Sequence, residues 1–343
     1  MTKVLVAGGA GLLGAAVARR LALSGTPTIA ADGFDSSGDG RDVKEERASD
    51  LNRVAGVTIL RTDLSNPEQV EALFAEHRPD VVVNAARFSP EGAGAAPLFE
   101  VAAAAHVALL VHLSDAALYA AASDPLRHAP EDEPLDAGDS PYLARRLEDE
   151  RHLASLSVPH AVLRVFDLIG PSLPPSRFPM EALEAVLAGE DVFLSDDAPR
   201  DYLHLDDAAR GVVLTVERKP VGRTLNIGSG ISTAPSAFVT SLAGHAGRAA
   251  SIRILTGGLP PRPPRIADMG SAYDVLGFSP TRTIDDVADE IVWTRLAPTG
   301  TFAREGPRLP PPRKEALPAP KEPPKPVSRR ELFDLFRRPF TGD

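Results

Sequence analysis

The chain has no cysteine. Disulfides, thiolate nucleophiles and thiol-rich metal sites are thereby excluded. It has no basic excess either: 37 Lys and Arg stand against 47 Asp and Glu, a net charge of -10. Without a basic face there is nothing to neutralise a phosphate backbone, so nucleic acid is not an expected partner. No apolar run approaches the length that spans a bilayer, and the N-terminus reads straight into a β-prone run instead of a leader. The expectation is a soluble, cytoplasmic protein without membrane contact. The histidines, His204 among them, show no metal-ligand spacing, and no metal is expected.

What is present begins with the first 23 residues. Lys3 to Ala7 is a short apolar run, Gly8 to Gly14 is glycine-rich, and Leu12 to Leu23 repeats apolar residues at helical spacing, so the order is strand, tight loop, helix. Gly8 takes the turn out of the strand, and Gly11 lets a pyrophosphate approach the backbone without meeting a Cβ. Gly14 lets the helix pack close to the sheet. The helix N-terminus, at Leu12 and Leu13, turns N–H groups and a positive dipole end towards phosphates. A glycine triad alone reads equally as a tight turn in a chain rich in Gly and Ala. Two features decide for a dinucleotide: the strand opens the chain, and a second apolar run from Thr28 ends in Asp32, 18 residues after Gly14. A carboxylate there accepts the hydroxyls of an adenine ribose and repels a 2′-phosphate, which favours NAD over NADP.

At 343 residues and 43% hydrophobic content, the chain can bury one large core or two ordinary ones. Val57 to Leu60, Asp80 to Asn84, Ala108 to Leu113, Ala161 to Val165 and Thr224 to Ile227 read as further strands. Asn66-Pro67-Glu68 starts a helix running to His77, Leu98 to Ala105 is a short helix, and Pro141 to Leu156 is a longer one. This alternation is the pattern of an α/β protein with a doubly wound, Rossmann-type parallel sheet. The division expected is a cofactor domain over residues 1–166, joined by a further strand near 224–228, and a smaller substrate cap over 167–297. Residues 298–327 are proline-rich and charged and read as an extended linker. Ser328-Arg329-Arg330-Glu331 then matches a capping box before Leu332, Phe333, Leu335 and Phe336. That short amphipathic helix, over 328–343, docks on a protein partner, folds back on its own chain or frays.

In this order the motifs resemble the extended short-chain dehydrogenase/reductase family, the NAD-dependent epimerase/dehydratase group that acts on nucleotide sugars. The residues that carry the resemblance are VAGGAGLLG at the start, Asp32, Thr62-Asp63-Leu64, Asn84-Ala85-Ala86, Ser114 to Tyr119, Tyr142 to Arg146 and LRVFDLIGP from Leu163. RDYLHLDDAARG from Arg200, LNIGSG from Leu225 and LGFSPTRTIDDVADEIVW from Leu276 complete it. The resemblance implies an oxidoreductase that binds NAD through Gly8, Gly11, Leu12, Leu13, Gly14, Asp32, Asp63, Leu64, Asn84, Ala85, Ala86, Tyr142 and Arg146. It further implies that Tyr142 is the acid/base, acting on a nucleotide sugar or a related hydroxyl or keto substrate.

Three positions depart from that pattern. The family's lysine, four residues after the tyrosine, is Arg146, and its serine or threonine, four before Tyr119, is Asp115. Spacing of four puts Tyr142 and Arg146 on one helix face. Arg146 keeps the positive charge but replaces an ammonium's point contact with a planar fork. Asp115 places a carboxylate where it disfavours ionisation of the phenol and repels a developing oxyanion. Ser114 substitutes for the missing hydroxyl only if the strand end bulges, since neighbouring residues point to opposite faces. The third departure is RFSPEGAGAAPLFEVAAAAH, from Arg87, which is too short for the long helix through which family members pair as dimers. In the cap, the resemblance puts Asp167, Arg200 and Arg262 at the substrate. Arg200 and Arg262 would clamp phosphates; alternatively Arg200 pairs with Asp201 or Asp206 and Arg262 is a solvated loop residue. Two functions follow: the family's redox chemistry, or an NAD(H)-binding module of weakened activity that recruits a partner through its tail.

Overall fold

Every strand of the main sheet runs in one direction, because each is followed by a helical crossover. In the computed structural model, which describes residues 2–35, 39–120, 126–255 and 265–297, the chain order is regular over the first third. It runs β1 (Val4–Ala7), α1 (Leu12–Leu23), β2 (Thr28–Asp32), α2 (Arg41–Leu51), β3 (Val57–Arg61), α3 (Pro67–His77), β4 (Val81–Asn84), α4 (Ala96–Ala104) and β5 (Leu109–Asp115). Next come β6 (His128–Ala129), α5 (Pro141–Ser155), β7 (His160–Val165), β8 (Asp167–Ile169), α6 (Met180–Ala188), β9 (Asp191–Leu194), β10 (Arg200–His204), α7 (Leu205–Arg218) and β11 (Arg223–Ile227). The last elements are β12 (Ser232–Thr233), α8 (Pro235–His245), β13 (Ser251–Ile254), β14 (Ile266–Ala267), α9 (Gly270–Leu276) and α10 (Ile284–Leu296). The expectations placed on Arg262 and on residues 298–343 lie outside the described residues.

The seven-stranded sheet has the order β11-β7-β5-β4-β1-β2-β3, parallel throughout. Alternate residues of each strand feed opposite faces. Val4 and Val6 of β1 pack with Val17, Ala18 and Leu21 of α1 and with Val212 and Val213 of α7. Leu5 and Ala7 face the other layer, with Val70 of α3, Leu98 and Phe99 of α4 and Leu153 of α5. Burial on both faces explains why the strands read as continuous apolar runs. The reversal of strand order beside β1 opens a crevice at the carboxyl edge of the sheet, where ligands bind in folds of this class.

Beyond β7, the strands other than β11 and β14 form small sheets of their own, β12-β10-β8 and β13-β9. Their core is separate: Ile169, Met180, Leu183, Tyr202, Phe238, Leu242 and Ile291 cluster together, with Leu12 of α1 packed against them. The first turn of α1 therefore touches this second core while its N-terminus faces the crevice. Among the described residues no helix is long and apolar enough to cross a membrane.

Candidate functional site

The glycine loop is held closed by backbone bonds. Gly8 N–H donates to the Ala31 carbonyl at 2.8 Å and Gly11 N–H to that of Gly8 at 3.0 Å. Gly8 has φ +76, and a Cβ on it would sit 2.6 Å from the Ala86 backbone. At Gly14 a Cβ would come 2.1 Å from the Gly8 carbonyl oxygen, so helix and loop meet at a distance only glycine allows. Gly11 differs: a Cβ there would meet only that same oxygen, at 3.1 Å. No side chain caps α1, which leaves its first N–H groups for an anion.

Asp32 closes β2 at 4% exposure. Its carboxylate accepts N–H bonds from Ala10 at 3.2 Å and Phe34 at 2.9 Å. Lys44, from the polar helix α2, brings its ammonium within 3.4 Å of Asp32 and 2.7 Å of Asp35. Asp32, Asp35 and Lys44 share one cavity of about 370 Å³ with Gly8, Asp63, Leu64, Ala86 and Arg87. Ala85 is half-buried beside it. Glycine backbone, an uncapped helix end and a carboxylate over a cavity are together the parts a dinucleotide requires, and the residues present fit NAD.

Asn84 serves the loop from behind. It is fully buried, its Oδ1 accepts from Ala86 N–H at 3.2 Å, and its Nδ2 lies 3.1 Å from His112 Nδ1. With Oδ1 so fixed, Nδ2 donates and His112 Nδ1 accepts, which requires a neutral imidazole. Burial, then the nearby Arg146 guanidinium and His160, hold His112 well below its usual 6.5. The unfolded chain therefore binds the proton more readily than the native one, and this share of stability is complete above pH 6.5 and lost as the pH falls below it. The urea midpoint should accordingly drop between about pH 7 and pH 5, and a His112→Gln protein should show a flatter profile.

Tyr142 and Arg146 stand one turn apart on α5, as the spacing requires. Arg146 Nε donates to the Tyr142 hydroxyl at 3.1 Å, and that hydroxyl donates to Asp115 Oδ2 at 3.3 Å. Asp115 also accepts from Ala117 N–H at 2.9 Å, which fixes its carboxylate at the end of β5. The Arg87 guanidinium lies over the phenol ring, 4.3 Å from its centroid. Helix α5 is anchored from below, where Arg164 of β7 forks onto Glu150 at 2.9 and 3.2 Å. It also grips the loop before α4: Arg145 donates to the carbonyls of Pro90 and Gly92, and Asp149 accepts from Ala95 N–H. Burial raises the Asp149 carboxyl above its ordinary value.

Ser114 is not brought to Tyr142. The β5–β7 register runs unbroken from Leu110 to Asp115, with no bulge. Asp115 alone turns to the phenol, while the Ser114 Oγ is buried without a hydrogen-bond partner. Arg200 pairs with neither of its expected neighbours. Its guanidinium donates twice to Asp196, at 3.0 and 2.8 Å. Asp201 points the other way off the strand and accepts from Ser229, Gly230 and Ala267. Asp167 is exposed at the start of β8, paired in register with Tyr202. Two residues of this region had no role in the sequence reading, Lys44 and Arg87. Lys44 sits in a helix without apolar periodicity, and Arg87 was legible only as the residue after Asn84-Ala85-Ala86.

The NAD dependent epimerase/dehydratase family model matches residues 4–228. The chain belongs to that family. Among its relatives, UDP-glucose 4-epimerase of Mycolicibacterium smegmatis is 27% identical over 311 residues, covering 81% of this chain and 93% of that protein. dTDP-glucose 4,6-dehydratase of Streptomyces griseus is 28% identical over 264 residues, covering 72% and 79%. UDP-glucuronic acid 4-epimerase of Bacillus cereus, solved with UDP-glucuronic acid and NAD, superposes with a TM-score of 0.74 at 22% identity over 86% of this chain and 99% of that one. In this epimerase/dehydratase family member Tyr142 is surrounded by a carboxylate and two guanidiniums.

Proposed function

We propose that the protein is an NAD-dependent oxidoreductase of the epimerase/dehydratase type, acting in the cytoplasm on a nucleotide sugar or a closely related hydroxyl substrate. The observation that carries this reading is the hydrogen-bonded run from Arg146 through Tyr142 to Asp115, set at the carboxyl end of β5 in the sheet that holds the glycine loop.

NAD, when bound, supplies a hydride acceptor, and the chain supplies the proton chemistry. Gly8, Gly11 and Gly14 keep the loop open to the pyrophosphate, and the start of α1 at Leu12 and Leu13 offers N–H donors. Asp32, Asp63, Leu64 and Ala86 line the adenosine end. Tyr142 holds or takes the proton of the reacting hydroxyl, and Arg146 steadies its oxygen. Asp115 is an acceptor only, so it takes a hydrogen bond from an alcohol and gives none to a ketone. The site therefore favours the hydroxyl form of its substrate. Substituting Asp115→Ser with Arg146→Lys should raise turnover about tenfold or more, because the serine can donate to the carbonyl oxygen as it forms. NADH absorbance followed on a panel of nucleotide sugars checks this; equal or lower rates in the double variant would mean that the native site runs different chemistry.

A further inference from the structure

Helix α2 buries one charged side chain, Lys44, at 6% exposure. A lysine is kept inside only where its charge is met. Its ammonium donates to Asp35 at 2.7 Å and lies 3.4 Å from Asp32 Oδ1, on the wall of the crevice cavity. An ammonium has three donors, so with both carboxylates served one N–H remains. Arg61, the register partner of Asp32, does not compete for this place, because its fork is committed to Glu45. Asp32 is the other half of the count. A carboxylate has about four acceptor sites, two on each oxygen. Oδ2 takes the Ala10 N–H, while Oδ1 takes the Phe34 N–H and faces the Lys44 ammonium. Oδ1 is therefore full, and Oδ2 has one place left. A ribose brings two adjacent hydroxyls, so Asp32 accepts from one and the other needs a second partner.

We infer that Lys44 is a cofactor-binding residue, which donates its remaining N–H to one hydroxyl of the adenine ribose while Asp32 accepts from the other. This rests on the dinucleotide reading above, and it divides between two residues a task that the sequence places on Asp32 alone. An ammonium gives to a hydroxyl oxygen and a carboxylate takes a hydroxyl hydrogen, so adjacent hydroxyls meet complementary partners. A cation beside this ribose also suits a 2′-phosphate. Here, however, the carboxylates of the cavity, Asp32, Asp35, Asp63 and Glu91, outnumber its cations, Lys44 and Arg87. A dianion is repelled from such a wall, and a neutral hydroxyl is not.

The test is calorimetry on the full chain with NAD, with its analogues lacking the 2′- or the 3′-hydroxyl of the adenine ribose, and with NADP. In the unaltered protein each deoxy analogue should bind at least about tenfold more weakly than NAD. Lys44→Met should shrink one of these two losses to within about twofold and leave the other in place. Asp32→Asn should do the reverse, sparing the loss that Lys44→Met removes. If Lys44→Met does not fold, Asp32→Asn decides alone, because one hydroxyl must still count while the lysine is present. Both losses surviving in Lys44→Met, or both vanishing in either variant, would overturn the inference: the lysine would then be no ligand, or would act only by holding Asp32. NADP binding more tightly than NAD would also overturn it, by putting the ammonium on a phosphate. If the unaltered protein binds none of the four dinucleotides, the dinucleotide reading fails and takes the inference with it.

Discussion

Gly14→Ala should deprive the protein of NAD and loosen its fold together. The added methyl would lie 2.1 Å from the Gly8 carbonyl oxygen and 2.8 Å from its carbon, both backbone atoms that cannot step aside. Relief requires α1 to move away from the loop, and α1 packs against α7 and the central strands through Val17, Ala18 and Leu21. The expected cost is roughly 3 kcal/mol of stability by urea denaturation. NAD affinity should fall by about a hundredfold or more, since the N–H donors move with the helix. Gly11→Ala is the control. Its methyl meets only the Gly8 oxygen, at 3.1 Å, so the fold should stay within about 1 kcal/mol of native while the methyl stands in the way of the pyrophosphate. A Gly14→Ala protein that bound NAD normally would disprove the cradle.

Tyr142→Phe carries the second large effect. It removes the one group that both accepts from Arg146 and donates to Asp115, and turnover on any accepted sugar should fall roughly 10²- to 10⁴-fold. Binding should change little, because the ring under Arg87 is retained. Single-turnover NADH formation separates the two: lost chemistry at full occupancy is the expected pattern. Undiminished rates would leave Asp115 as the proton acceptor in its own right.

The main sheet was legible because its central strands β1, β2, β4, β5 and β7 are buried on both faces and so read as apolar runs. The loop after β1 was legible because glycine there has a steric reason. Helix α2 was not: RDVKEERASDL buries only Lys44, Ala48 and Leu51, too few apolar positions to set a period. Lys44, the cation beside Asp32, went unread with it. The partner of Arg200 was misread for a related reason. Proximity in sequence favoured Asp201, yet adjacent residues of β10 face opposite ways, and Asp201 serves the Ser229 loop. Arg87 has no local signature at all; what it means depends on a helix 55 positions later folding beneath it.

The hold of Arg145 and Asp149 on residues 90–95 reaches further than packing. That stretch walls the cavity through Glu91 to Gly94, and its anchors lie on the helix that carries Tyr142. The wall of the cavity and the phenol thus hang from one helix, so a substitution at Arg145 or Asp149 should be felt at both.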